Sequence, residues 1–430
     1  MKNFGYSGEQ YGIFRKYALN TLFGFAIMYA FFYNGRMNMG LSLASMTSEL
    51  HISTAQAGAI TSSLFWCYGF GHLFSGRLGE IFGNKRFILV GILLSVLLNL
   101  VISFQTSPAV IAVFWGLNGF AQAMVFSPGI ALSAKWWPKS RRGFASGIIT
   151  GFAGIAQISA WLCILAAFAL QPDLGWRAAF RLPMIPMFVF GLFFLFLAKE
   201  EPSTVGLPDY QEEDPEATAL EAERNRFLAE KGKLYPYISL FKNPKMILFM
   251  FIIAIIGIAR YGLITWLPLY YVKVMDMNIK SGIFNSVVLP IGMAVGYFLM
   301  PILSDKIFKS RREPPLIICS VCAAVAIWIF PYLRDIHIAA ACLLLVGFFS
   351  AINGLVWAFA ADIGTRAFAG TATGMLDWAA YMGAAIQSIL FGAIIDSTGN
   401  WDYLFFTLSI LFLITVSLAL VSTKIRPRAA

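Results

Sequence analysis

Residues 28–38 read MYAFFYNGRMN and residues 259–271 read ARYGLITWLPLYY: each sets one arginine, Arg36 or Arg260, inside an apolar run. The offset that carries position 36 to position 260 recurs elsewhere. Arg142, Phe144 and Ala145 return at the same offset as Arg366, Phe368 and Ala369. The basic turn GRLGEIFGNKR (76–86) has its counterpart in SDKIFKSRR (304–312), where Asp305 answers Glu80 within a single position of that offset. A fixed displacement over half a chain is the mark of a duplicated unit, and a parallel repeat places equivalent positions opposite each other near mid-membrane.

The unit is helical and apolar. Of 430 residues 59% are hydrophobic and only 13% charged, whereas soluble domains run at ~45–50% and ~25%, so a soluble enzyme is excluded. Runs of spanning length begin near residues 19, 56, 87, 109, 143 and 178, then near 246, 281, 315, 337, 368 and 402. The expected fold is an all-α membrane protein, with twelve transmembrane helices in two pseudo-symmetric six-helix bundles. Residues 1–198 form the first bundle, 199–245 a cytoplasmic linker and 246–430 the second bundle. The linker holds ten acids between Glu200 and Glu230, and PEATALEAERNRFLAEKGK within it reads either as a solvated connector or as a surface-lying amphipathic helix.

The net charge of +10 is topological. Twenty-five Lys and Arg fall on the face shared by both termini and five on the other, which puts both termini in the cytoplasm and makes nucleic acid an unnecessary partner. The five cysteines lie inside apolar runs, and Cys319 and Cys322, although spaced like half a zinc ribbon, have no second pair, so no metal or cofactor is expected. The N-terminus lacks a cleavable leader pattern.

An arginine within a span costs ~2.5–3.5 kcal/mol on insertion scales. Asp377 is the only acid well inside an expected span, so two guanidiniums against one carboxylate leave a positive site whose planar forks match phosphate, sulfonate or carboxylate. Tyr29 and Tyr33 share the helical face of Arg36, and Asn38 follows closely after it. Tyr68 and His72 form an i, i+4 pair on the second helix, where His72 is either a packing residue or a titratable contact. Tyr261 adjoins Arg260, and Tyr381 follows Asp377 by one turn. Asp377 reads as a counter-ion for the arginines or as a proton carrier. Glu80 with Arg86, and Asp305 with Arg311 and Arg312, are the expected latches of a cytoplasmic gate.

The turn GRLGEIFGNKR resembles the signature loop of the major facilitator superfamily, with Glu80 for its usual aspartate and Ile81 for its usual arginine. YNGRMN, YGFGH, EEPSTVGLP and ARYGLITWLPLYY are similar to the organophosphate:phosphate antiporter family within it. The resemblance implies that Arg36 and Arg260 bind phosphate, that Tyr29, Tyr33 and Tyr68 line the cavity, and that inorganic phosphate is the exchanged partner. Two positions depart: His72 stands where those transporters carry lysine, and the fifth helix, FASGIITGFAGIAQISAW, has no histidine. A proton-coupled symporter of organic carboxylates or sulfonates, as in the anion:cation symporters, is the alternative, and a transporter-like membrane sensor a third. The expected protein is a monomeric carrier of the bacterial inner membrane.

Overall fold

The computed structural model describes residues 6–137, 139–208, 226, 230–232, 235–308, 313–352, 356 and 365–425. Every regular element among them is helical. This is what an apolar chain in lipid requires, since a helix pairs its backbone polar groups within one segment.

In order the helices are α1 (Gly8–Phe32), α2 (Asn34–Leu50), α3 (Thr54–Phe82), α4 (Asn84–Ile102), α5 (Pro108–Trp136), α6 (Lys139–Leu170), α7 (Ala178–Arg181) and α8 (Met184–Leu197). There follow α9 (Tyr235–Phe241), α10 (Pro244–Lys273), α11 (Ile279–Ser286), α12 (Val288–Ile307), α13 (Glu313–Ile329), α14 (Ile336–Ser350), α15 (Thr365–Thr398) and α16 (Asp402–Lys424). Among the described residues nine segments are long and apolar enough to cross a membrane. The other three crossings of the twelve are α1 with α2, α3, and the shorter apolar α14.

Starts and stops follow local chemistry. Ser7 and Gln10 form a reciprocal capping box before α1, and Asn243 caps α10, which has Pro244 at its first position. The first crossing differs from the expected single helix: it is interrupted at Tyr33, whose carbonyl accepts the N–H of both Arg36 (3.1 Å) and Met37 (3.0 Å). The three-residue bond tightens the turn and separates α1 from α2. Arg36 therefore lies just past a break rather than deep in one uninterrupted rod.

By contacts the chain divides into two compact units, Met1–Asn38 with Cys67–Thr218, and Met39–Trp66 with Ala219–Ala430. In the first, α1 lies against α6 and α8, and α4 against α5 and α8. In the second, α10 lies against α15, α12 against α14, and α13 against α16. The first crossing thus pairs with the fifth as the seventh pairs with the eleventh, and the third with the sixth as the ninth with the twelfth. The duplicated sequence builds a duplicated packing. Ala123 and Gly347, related by the same offset as the arginines, occupy matching places: Ala123 lies under Gly71, and Gly347 against Leu289 and Gly292.

Small residues make the close seams, because without a hydrophobic drive between helices in lipid, backbone proximity supplies the attraction. A Cβ on Gly257 would run into the carbonyl of Ala380, and one on Gly383 into the carbonyl of Ala254, so α10 and α15 touch backbone to backbone. In the same unit α3 begins against the end of α15. The Asp396 carboxylate accepts the N–H groups of Thr54 (2.9 Å) and Ala55 (2.7 Å), Ser62 donates to the Ala385 carbonyl (2.8 Å), and a Cβ on Gly58 would strike the Ser388 carbonyl. An acid at a helix N-terminus satisfies donors that have no partner within the helix and complements the dipole.

Of the expected linker, residues 209–225, 227–229 and 233–234, which hold most of the amphipathic segment, lie outside the described residues. At its beginning Pro202–Val205 is a 3-10 turn closed by Gly206 at φ 77°, and Tyr6 donates its hydroxyl hydrogen to Pro208 O at 2.6 Å.

The α10/α15 seam sets a clean test. Gly383→Ala should lower stability by about 2 kcal/mol, seen as a lower melting temperature of the detergent-solubilised protein. Gly374→Ala, on the same helix with nothing within 4 Å, should leave the melting curve unchanged.

Candidate functional site

In the first unit the expected aromatic residues surround Arg36. The side chain is buried at 8% exposure, its guanidinium carbon 3.7 Å from the centre of the Tyr33 ring and 5.3 Å from that of Tyr68. One ring comes from the break just before the arginine and the other from α3. Tyr29, one turn earlier on α1, meets Tyr33 edge-on at 5.4 Å, stacks on Phe25 at 5.6 Å and touches Phe126 of α5 at 5.6 Å. Tyr29, Tyr33 and Tyr68 are all buried. His72 lies edge-to-face with Tyr68 at 4.4 Å, and its Nδ1 is 3.1 Å from Ser127 Oγ. The i, i+4 pair read from the sequence is thus held as a unit against α5, and Phe126 and Ser127 join the set. Neither had a signal of its own in the apolar run around them.

The second unit repeats the motif. The Arg260 guanidinium carbon lies 5.1 Å from the Tyr261 ring and 5.7 Å from the ring of Tyr297 on α12. Tyr261 donates its hydroxyl hydrogen to Tyr381 Oη at 3.4 Å, and its ring contacts Phe65 at 4.8 Å. Asp377 lies one turn before Tyr381 on α15 and is partly exposed. Each arginine therefore faces a tyrosine of its own crossing and a tyrosine of the next one, Tyr68 on α3 and Tyr297 on α12. Ring faces attract a cation by about 0.5–2 kcal/mol and orient it without cancelling its charge.

Asn38 is fully buried, and its amide points into the first unit's core, donating to Asn99 Oδ1 (2.8 Å) and Ala179 O (3.3 Å). It belongs to a network of buried amides that includes Asn99, Asn118 and Gln122, residues without a period or motif to reveal them.

At the turn between α3 and α4, Glu80 and Arg86 are both exposed. The carboxylate that closes the corner is Glu200, just after α8, which accepts the N–H groups of Asn84 (2.9 Å) and Lys85 (2.8 Å) and the ammonium of Lys135 (2.8 Å). Burial raises the affinity of Glu200 for a proton, but these donors outweigh it and hold the carboxyl below its usual range. A cavity of about 440 Å³ opens here among Lys85, Arg86, Lys199 and Glu200. In the second unit Lys245 pairs with Glu313 at 2.9 Å. The side chain of Asp305, and Arg311 and Arg312, lie outside the described residues. Among the described residues no cluster of three His, Cys, Asp or Glu is close enough to hold a metal.

Known proteins align with this chain along nearly its whole length. The model of the Major Facilitator Superfamily matches residues 25–387. The probable hexose phosphate transport protein of Chlamydia trachomatis is 27% identical, over 96% of this chain and 91% of its own. The membrane sensor protein UhpC of Escherichia coli is 25% identical, over 93% and 90%. Among solved structures, a bacterial homologue of the human lysosomal transporter Spinster superposes with a TM-score of 0.79 at 14% identity, over 95% of this chain and 97% of that one, and so shares its fold.

Glu200→Gln should cost about 2 kcal/mol near neutral pH by weakening three charge-assisted hydrogen bonds. A carboxylate whose folded value is depressed contributes stability above its unfolded value and loses it as pH falls through the folded one. The difference in melting temperature between wild type and Glu200→Gln should therefore shrink in strong acid, which a pH series of thermal melts would show.

Proposed function

Because the chain belongs to the Major Facilitator Superfamily, whose members are membrane transporters rather than enzymes, we propose that it carries a phosphate ester in exchange for inorganic phosphate, with Arg36 and Arg260 binding the anionic head. One observation carries the reading: the arginine flanked by two tyrosines occurs twice, at positions that the internal repeat makes equivalent. A tetrahedral dianion offers oxygens to two forks at once, and the hexose phosphate named for the Chlamydia relative is an ester of that class.

Charge then drives the cycle. Two guanidiniums brought together without an anion repel, and a bound dianion attracts both, lowering the cost of occluding the site. Empty carriers return slowly, so uptake depends on an exchanged anion. The two bundles, 1–198 and 246–430, rock against each other on the 199–245 linker, while Glu80 with Arg86, and Asp305 with Arg311 and Arg312, latch the cytoplasmic mouth. The carrier works as a monomer in a bacterial inner membrane with both termini in the cytoplasm.

Asp377 favours a second reading. A carboxylate on the helix of Tyr381, whose hydroxyl accepts from that of Tyr261 beside Arg260, would answer the arginine charge when protons come and go, which is how symport of a carboxylate or sulfonate with a proton would run. The sensor among the relatives favours a third, binding without flux.

Reconstitution separates the three. In liposomes, uptake of labelled glycerol 3-phosphate should require phosphate inside and no proton gradient. Uptake that needs the gradient but no internal anion means symport, and binding with no uptake in active vesicles means a sensor. Arg36→Lys and Arg260→Lys keep the charge and lose the fork, so each should slow exchange by on the order of 100-fold. Wild-type exchange in both would refute the clamp.

A further inference from the structure

The carbonyl of Gly35, the residue before Arg36, is gripped from two helices. It accepts Asn118 Nδ2 at 2.7 Å from α5 and Asn99 Nδ2 at 3.2 Å from α4. Behind them the bonds continue: Ser95 Oγ donates to Asn118 Oδ1 (2.6 Å), Asn38 Nδ2 donates to Asn99 Oδ1 (2.8 Å), and Gln122 Nε2 donates to Ser95 Oγ (2.8 Å). All five of these side chains are fully buried.

Amides within a membrane span are costly, and such polar groups persist where they do a job. Here they converge on the α1/α2 break. Gly35 and Asn38 stand one turn apart and face α4 and α5 together, while Arg36, turned by roughly 100° about the helix axis, reaches Tyr33 and Tyr68. Holding Gly35 and Asn38 fixes the rotation of the first turn of α2, and that rotation aims the guanidinium. Glycine is what permits the grip, since a Cβ at residue 35 would lie 2.6 Å from Gln122 Nε2 and 2.9 Å from Ser95 Oγ.

We propose that Asn99 and Asn118 are positioning residues for Arg36, setting the aim of the arginine through the Gly35 carbonyl without touching the substrate. The inference rests on the reading of Arg36 as an anion-binding residue. A guanidinium turned off axis loses one prong of its fork, so affinity for a tetrahedral phosphate should fall more than affinity for a carboxylate of equal charge.

The test is a double-mutant cycle on the purified full chain, reading calorimetric affinity for glycerol 3-phosphate and for a dicarboxylate, with a melting curve for each variant. Asn118→Leu should weaken phosphate-ester binding about tenfold and reduce the preference for it over the dicarboxylate. In an Arg36→Lys background the same change should add less than about twofold, because the pair is coupled. Equal losses in both backgrounds, or an unaltered preference, would show a merely structural role and overturn the positioning. Unchanged binding in Arg36→Lys alone would instead remove the anion-site reading, and the positioning with it. If Asn118→Leu does not fold, Ser95→Ala loosens the same network one bond further out and should give about a threefold loss with the same non-additivity.

Discussion

An arginine within a membrane span is the constraint to which this structure answers. A charged side chain there is costly and needs neighbours that stabilise it. The chain meets that need twice with tyrosine, Tyr33 and Tyr68 around Arg36, Tyr261 and Tyr297 around Arg260. Around these the helices are arranged by elementary means: glycines where backbones must meet, buried amides where a helix must not rotate, and caps where helices begin.

The duplication explains why so much of the fold was legible. A constant offset between two halves is visible in a string of letters, and it located both arginines before any helix was placed. Apolar runs of spanning length gave twelve crossings, yet they hid the break at Tyr33, which has ordinary helical angles and whose following Asn34 and Gly35 sit inside such a run. Tyr297 escaped for a related reason. The offset that relates the arginines would carry Tyr68 to Gly292, so the two tyrosines match in role through the geometry of α3 and α12 and not through register.

Polar residues in apolar runs were the least legible. Asn99 and Asn118 belong to helices read only as spans, and their purpose emerges when both amides are seen at the carbonyl of Gly35. Glu200 was read as the first acid of a charged connector, whereas it closes the start of α4 from a distant part of the chain. Long-range pairing leaves no local trace, and one sequence alone supplies none.

The glycine seam between α10 and α15 bears on how charge can be managed in the second unit. Helices in backbone contact at Gly257 and Gly383 leave little room for a sideways shift, and Arg260 and Asp377 ride one on each of them. A seam of that kind favours moving the two charges together, as passengers in the same carriage.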